Sequence, residues 1–305
     1  MNENFRVFVP ARISGFFEIL ARKEKSTNIM YGSRGAGPNI QLGGRTNIKI
    51  LDDEAGKISI FINGRKENNA LTSINVIKKL LPVDFGASIE VYHELDVPIG
   101  CGYGSSGIGA LGLSAALNLA LNLNLTLNQV GAIAHEAEII SKTGLGTVGP
   151  QIIGGLTITR RGGPPGKNLI DRIMVPPDHI VVSGTFGPIK TKKILCDESL
   201  FSAININGKR CMKKLISSPS VNNFLSVSRD FAAAVDLLTP RVREVLRELD
   251  KIHVTSSMSF VGETVFTIIK EELKKPVLEV LESFFSNKQI YSAEISNSGI
   301  TILRG

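Results

Sequence analysis

The sequence predicts an α+β protein in two domains. Three observations lead there. Short runs of alternating apolar residues, one of them ending in a hairpin dipeptide, crowd the first hundred residues. Segments with apolar residues at helical spacing are mixed among these strands. A loop dominated by Gly and Pro, residues 162 to 167, divides the chain, so domains are expected over residues 1–165 and 166–305.

Taken in order, FRVFVPARISGFFEI reads as a strand, a turn at Pro10 and further apolar chain. TNIKIL and KISIFING are strands joined by the turn-rich DDEAG. Ile58, Ile60 and Ile62 share one face, and Asn63-Gly64 is a hairpin-turn dipeptide. ALTSINVIKKLL places Leu71, Ile74, Ile77 and Leu81 at helical spacing, and ASIEVYHELDVP is a strand. ALGLSAALNLALNLNL, rich in Ala and Leu, reads as a buried helix. TLNQVGAIAHEAEIISKTG reads as a second helix, capped by Thr126 and followed by Gly144. GGLTITRRGGPPG is a strand and a loop, and HIVVSGTFG a further strand. VNNFLSVSRDFAAAVDLL and TPRVREVLRELDKI are helices, the latter with Thr239 as cap and Pro240 in its first turn. VGETVFTIIKEEL and PVLEVLESFF are also read as helices, with QIYSAEIS and GITILR as late strands.

The 305 residues are 43% apolar and 21% charged, which suits a globular protein with a sizeable core. No apolar run reaches the ~18 residues of a membrane span, and the N-terminus lacks the order of a secretory signal. A cytoplasmic location and no membrane partner are expected. Cys101, Cys196 and Cys211 lie far apart without a CxxC, against a zinc site or a disulfide framework; they read as buried or half-buried thiols. A net charge of +7 suits anionic small molecules or nucleic acid. However, the basic residues are scattered, pairs such as Lys192–Lys193 are short, and aromatics are 6% with no tryptophan. That leaves no base-stacking platform, so no nucleic-acid partner is expected.

The most informative stretch is PIGCGYGSSGIGALG, residues 98 to 112, between a strand and the buried helix. The first N–H groups of a helix have no internal partner, the helix dipole adds positive character there, and glycines let the loop wrap an anion. Phosphate is the usual guest. The stretch is not GxxxxGK[ST], since no lysine occurs between residues 98 and 122. Gly102, Gly104 and Gly107 fit GxGxxG, but no acidic residue stands about 20 positions later, as a dinucleotide site requires. A glycine-rich turn that only permits tight helix packing is the competing explanation.

PIGCGYGSSG resembles the PxGxGLGSSA loop of the GHMP kinase superfamily. Pro98, Gly100, Gly102, Gly104, Ser105 and Ser106 are in register, Tyr103 replaces leucine and Gly107 replaces alanine. VPARISGFF looks like the superfamily's opening motif, and SSMSFVGETVF like its third glycine motif, though glycine-poor here. Within the superfamily, GSRGAGPNI, GYGSSGIGALGLSAALN, AEIISKTGLGTVGPQIIGG and MSFVGETVF resemble the archaeal pantoate kinase family. The resemblance implies the GHMP kinase fold: an N-terminal α+β domain with the phosphate loop and a smaller C-terminal ferredoxin-like α+β domain. It implies ATP-dependent phosphorylation of pantoate to 4-phosphopantoate, a step towards coenzyme A, with ATP and Mg²⁺ bound between the domains. It also allows a homodimer.

The resemblance distributes roles. Pro98, Gly100, Gly102, Gly104, Ser105, Ser106, Gly107 and, on the far lip, Gly262 and Glu263 would surround the nucleotide. Ser106 and Glu138 would hold Mg²⁺; the serines serve equally as helix caps, and Glu136 rivals Glu138. His135 is read as a polar-face histidine. Arg12 matches the basic residue of the opening motif and would pair with the substrate carboxylate or a γ-phosphate. With Arg12, the substrate would meet Ser14, Arg34, Gly35, Gly37, Gly144, Gly146 and Thr147, and Phe16 or Phe17 would offer an apolar wall. Arg12, Ser106 and Glu138 are therefore the expected catalytic set. Mevalonate-kinase relatives carry an aspartate base just after the turn that ends this helix. Here the chain reads GLGTVGPQ, with no carboxylate from Lys142 to Asn168, so an aspartate-type base is not expected; Asp96 is a weak substitute.

Overall fold

The computed structural model describes residues 5–24, 27–53, 56–82, 85–189 and 198–304. Cys196 and the Lys192–Lys193 pair lie outside the described residues. The chain forms β1 (Arg6–Arg12), β2 (Phe16–Glu24), β3 (Thr27–Leu51), β4 (Ile58–Ile62), β5 (Arg65–Lys66), α1 (Leu71–Leu80), β6 (Ser88–Leu95), α2 (Ser105–Ala120), α3 (Leu127–Ser141), α4 (Val148–Ile153), β7 (Leu156–Arg161) and β8 (Leu169–Ile173). There follow β9 (His179–Pro188), α5 (Glu198–Ser217), α6 (Val221–Ala234), α7 (Pro240–Lys251), β10 (Ser257–Ser259), β11 (Gly262–Lys270), α8 (Lys274–Glu282), β12 (Ile290–Glu294) and β13 (Thr301–Leu303).

The first sheet has nine strands, with the path β13-β1-β3-β6-β4-β5 and β2, β7 and β8 added on the β3 side. Its spine is β3. The early part of this strand pairs with β2 and β7, and the later part with β1 and β6. A run as glycine-rich as GSRGAGPNIQLGG has low strand propensity. It is held extended because neighbours bond it on both sides and come close: a Cβ at Gly37 would strike the carbonyl of Ile13. At the other edge Asn63 and Gly64 both take positive φ, 48° and 77°, and close the expected β4–β5 hairpin.

Helix α2 is apolar all round, as a helix in the middle of a core must be. Ile108, Leu111, Leu113 and Leu117 are fully buried, and the helix packs between α1, α3 and the strands β1 and β3. Thr126 caps α3 in a capping box with Gln129. The helix ends at Lys142, in the left-handed region, two residues before Gly144.

The second sheet is antiparallel, in the order β10-β11-β9-β12. With helices after its first and third strands, this is the βαββαβ arrangement of a ferredoxin-like layer. Thr239 caps α7 and Pro240 opens it, as the sequence suggests.

Four readings change. Pro10 makes no turn: β1 runs through it with a register shift beside Ala11, and the chain turns at residues 13–15. Pro10 is tolerated because β13 pairs β1 only at Arg6–Phe8 and asks no N–H of it. VGETVFTIIKEEL is strand β11 rather than helix; it is buried on both faces, where apolar spacing cannot separate the two. Helix α5 and strand β8 go unread in the sequence. Finally, β8 pairs with β7 and β13 with β1, so residues 162–167 are a hairpin connection inside the first sheet.

Candidate functional site

A cleft opens where the loop before α2 faces the β1–β2 turn, the α3–α4 connection and the tip of β10–β11. It is lined by Arg12, Ser14, Phe16, Phe17, Ser33, Gly35, Gly100, Gly102, Gly104, Ser105, Ser106, residues 143 to 147, Thr159, Phe260 and Val261.

The loop shape comes from three glycines with φ of 75°, 86° and 67° at Gly100, Gly102 and Gly104, conformations that side chains disfavour. Neighbours pin it from every side. Arg12 N donates to Tyr103 O (3.0 Å), Ser259 Oγ to Gly102 O (2.6 Å) and Thr264 Oγ1 to Cys101 O (2.6 Å). Tyr103, standing in the usual leucine position, is fully buried and its hydroxyl reaches Ser183 Oγ (2.9 Å). Gly104 is the N-cap of α2, and no side chain caps the helix. The serines are therefore not caps. The helix presents its positive end and its first amides to the cleft.

Behind the loop, Glu138 is 1% exposed. It accepts from Ser106 Oγ at 2.5 Å through Oε1, while Oε2 is buried without a partner. Burial pushes its carboxyl up to about 7, against the smaller lowering from the Ser106 hydrogen bond. A Cβ at Gly144 would collide with this carboxylate. Glu136 turns outward to Lys79 (2.8 Å), which removes it as a rival. His135 is buried, not on a polar face, and its Nε2 meets the carbonyl of Tyr31 at 3.0 Å.

Arg12 is 5% exposed and makes no ion pair among the described residues. Its Nη1 donates to Ser14 Oγ (2.8 Å), its Nη2 reaches Thr157 Oγ1 (3.4 Å), and its Nε has no partner. Burial alone lowers its pKa, to about 10. A buried guanidinium without a counter-charge among the described residues, on the wall of a cleft, is suited to an anion.

Several expected residues lie elsewhere. Arg34 is outside the cleft: Ser33 and Gly35 face it, so strand alternation turns Arg34 to the opposite face, where it forks onto Glu18 (2.8 and 2.6 Å). Gly37, Gly107 and Gly262 back the site rather than line it; they allow close approach of Ile13, Gln151 and Cys101. Pro98 only leads into the loop, and Glu263 is occupied by Arg241. Asp96 is paired with Arg45 (2.9 Å) and does not line the cleft. Among the described residues no carboxylate lines the cleft. Ser33, Thr143, Leu145, Phe260 and Val261 were not named individually although they lie in the windows GSRGAGPNI, AEIISKTGLGTVGPQIIGG and MSFVGETVF; Thr159 lies outside every such window, and only the alternation of β7 points to it.

A carboxylate and a hydroxyl side by side, with one carboxylate oxygen unpartnered, are the hard oxygen donors that Mg²⁺ takes alongside phosphate oxygens and water. The donor set fits that ion.

A family profile described as "GHMP kinases N terminal domain" matches residues 68–155. The chain is 32% identical over 283 residues to the pantoate kinase of Thermococcus kodakarensis, covering 90% of this chain and 91% of that one. It is 32% identical over 278 residues to the pantoate kinase of Methanocaldococcus jannaschii, covering 91% and 97%. A solved structure described as a "Phosphotransferase related to CoA biosynthesis pathway" superposes with a TM-score of 0.87 at 30% identity, over 99% of each chain.

Proposed function

The chain belongs to the pantoate kinase family of the GHMP kinases, and from that premise we propose how its cleft divides the work. The enzyme transfers the γ-phosphoryl group of ATP to pantoate, giving 4-phosphopantoate for coenzyme A synthesis. The N–H groups of residues 100–107 and the uncapped start of α2 hold the nucleotide phosphates. Ser106 and Glu138 would hold Mg²⁺, which would supply positive charge to offset that of the transferred group. Arg12 takes the pantoate carboxylate, and Phe16, Phe17 and Phe260 enclose the two methyl groups.

The acceptor oxygen bonds to the γ-phosphorus as the bond from that phosphorus to the β–γ bridging oxygen breaks. With no carboxylate on the cleft wall among the described residues, the hydroxyl proton passes to a phosphoryl oxygen or to water. A loose transition state asks little deprotonation beforehand. Thr147 lines the cleft but cannot act as a base at neutral pH.

The observation that carries this reading is a buried Arg12 without a counter-charge among the described residues, lining the same cleft as an uncapped helix start. The test is ADP release with a panel of pantoate, homoserine, shikimate and mevalonate. Pantoate is expected to win clearly, with a phosphomonoester on its primary hydroxyl seen by phosphorus NMR. A clear preference for another acceptor would remove the pantoate assignment.

A further inference from the structure

Thr159 is 4% exposed, lines the cleft, and its Oγ1 has no hydrogen-bond partner. Leaving a buried hydroxyl unsatisfied is unfavourable, so such a group on a cleft wall points to a missing guest. Its placement narrows that guest. Thr159 and Thr157 stand on the same face of β7, about 7 Å apart by strand geometry. Thr157 touches the guanidinium of Arg12. Across the ladder from Thr159 is Gly35, which also lines the cleft. A glycine there puts no side chain over the hydroxyl, and a Cβ at that position would strike the carbonyl of Phe16. Phe16 and Phe17 add apolar surface to the cleft, and Ser33, on the same face of β3 as Gly35, adds a hydroxyl.

The cleft therefore offers a cation that already holds Ser14 Oγ, an unpartnered hydroxyl about 7 Å along β7 from the threonine touching that cation, and an aromatic surface. An acid with a hydroxyl on the carbon next to its carboxylate and a bulky apolar group beyond matches that sequence of contacts. Resting on the function proposed above, we infer that Thr159 is the specificity-determining residue that reads the second, unreacting hydroxyl of the acceptor and so selects an α-hydroxy acid. A site built to bond a hydroxyl rejects the analogue lacking it far more strongly than an apolar pocket rejects an extra methylene.

The experiment compares pantoate with 4-hydroxy-3,3-dimethylbutanoate, which lacks only that hydroxyl, in wild type, Thr159→Val and Thr159→Ser. Wild type is expected to favour pantoate by about a hundredfold or more in kcat/KM. Thr159→Val lowers kcat/KM for pantoate about ten- to a hundredfold and leaves that for the deoxy acid within about threefold, so discrimination collapses. Thr159→Ser, which keeps the hydroxyl, retains it. Wild-type enzyme that treats the two acids alike, or a Val variant that loses both activities equally, would overturn the inference. Thr159→Ala carries the same test if the Val variant does not fold. Wild type that leaves pantoate untouched would remove the function and this inference together; wild type active on pantoate with discrimination unchanged in Thr159→Val removes the inference alone.

Discussion

Glu138 and Arg12 are both charged groups held where water cannot reach them, and both carry the tension expected of a functional site. For Glu138 the folded pKa, about 7, lies above the ordinary 4.5, so the folded chain holds its proton more tightly than the unfolded chain. Without divalent cation, the stability linked to this group is fully present below pH 4.5 and is lost as pH rises through about 7. Melting curves between pH 5 and 8 should show that decline, and Glu138→Gln should flatten it. The same proton competes with Mg²⁺. Titrations at pH 6 and pH 8 should give tighter cation binding at the higher pH, and Glu138→Gln should abolish the difference. Ser106→Ala and Glu138→Gln should each lower kcat about a hundredfold or more, in line with the several kcal/mol a metal contributes. Arg12→Met should remove pantoate turnover yet leave the melting temperature unchanged or higher, because it deletes an unpaired buried charge. A fall of several degrees would mean that Arg12 serves the fold instead.

At the scale of elements, the phosphate loop is a strand-to-helix connection whose geometry depends on left-handed backbone at the N-cap. Gly104 takes φ 67°, and a Cβ there would crowd the methyl of Thr147 at 2.6 Å. Gly104→Ala should therefore cost about 1–3 kcal/mol and weaken ATP binding, read by denaturant unfolding and by nucleotide titration. Helix α7 offers the control. Thr239→Ala removes a cap that is not among the residues lining the cleft and should cost about 1 kcal/mol. Signals of this kind, such as caps, the Asn63-Gly64 turn and the helical spacing of α1 and α3, were readable because each is a local rule. The glycine-rich first half of β3 was not, since only its partners on both sides make it a strand.

At the scale of the whole molecule, the proposed nucleotide site lies on a seam. Ser259 and Thr264 from the second layer hold carbonyls of the phosphate loop, Phe260 N donates to Ser14 O (2.9 Å), and Phe260 packs edge-on against Phe17 and Phe231. Both layers thus share the loop. A non-hydrolysable ATP analogue with Mg²⁺ at a hundredfold excess over its Kd should stabilise the chain by about 2.7 kcal/mol. Calorimetry should show the shift in one cooperative transition; a second transition that ignores the nucleotide would mean that the layers melt separately. No helix of the described residues is long and apolar enough to cross a membrane.

The sequence by itself determined the family and the reaction that goes with it: the register of Pro98 to Ser106 and the apolar helix behind it are properties of contiguous chain, and contiguous chain is what local physics constrains. Only the tertiary structure separated the surroundings of the two arginines proposed for the substrate carboxylate. Arg12 and Arg34 are equal candidates as letters. The pairing of β2 with β3 turns Arg34 onto Glu18, while the packing of β1 and β7 leaves Arg12 buried without a counter-charge. The burial of His135, the pairing of Asp96 and the free hydroxyl of Thr159 follow from the same cause. Each depends on which distant residue lies across a ladder or a helix contact, and no spacing along the chain encodes that.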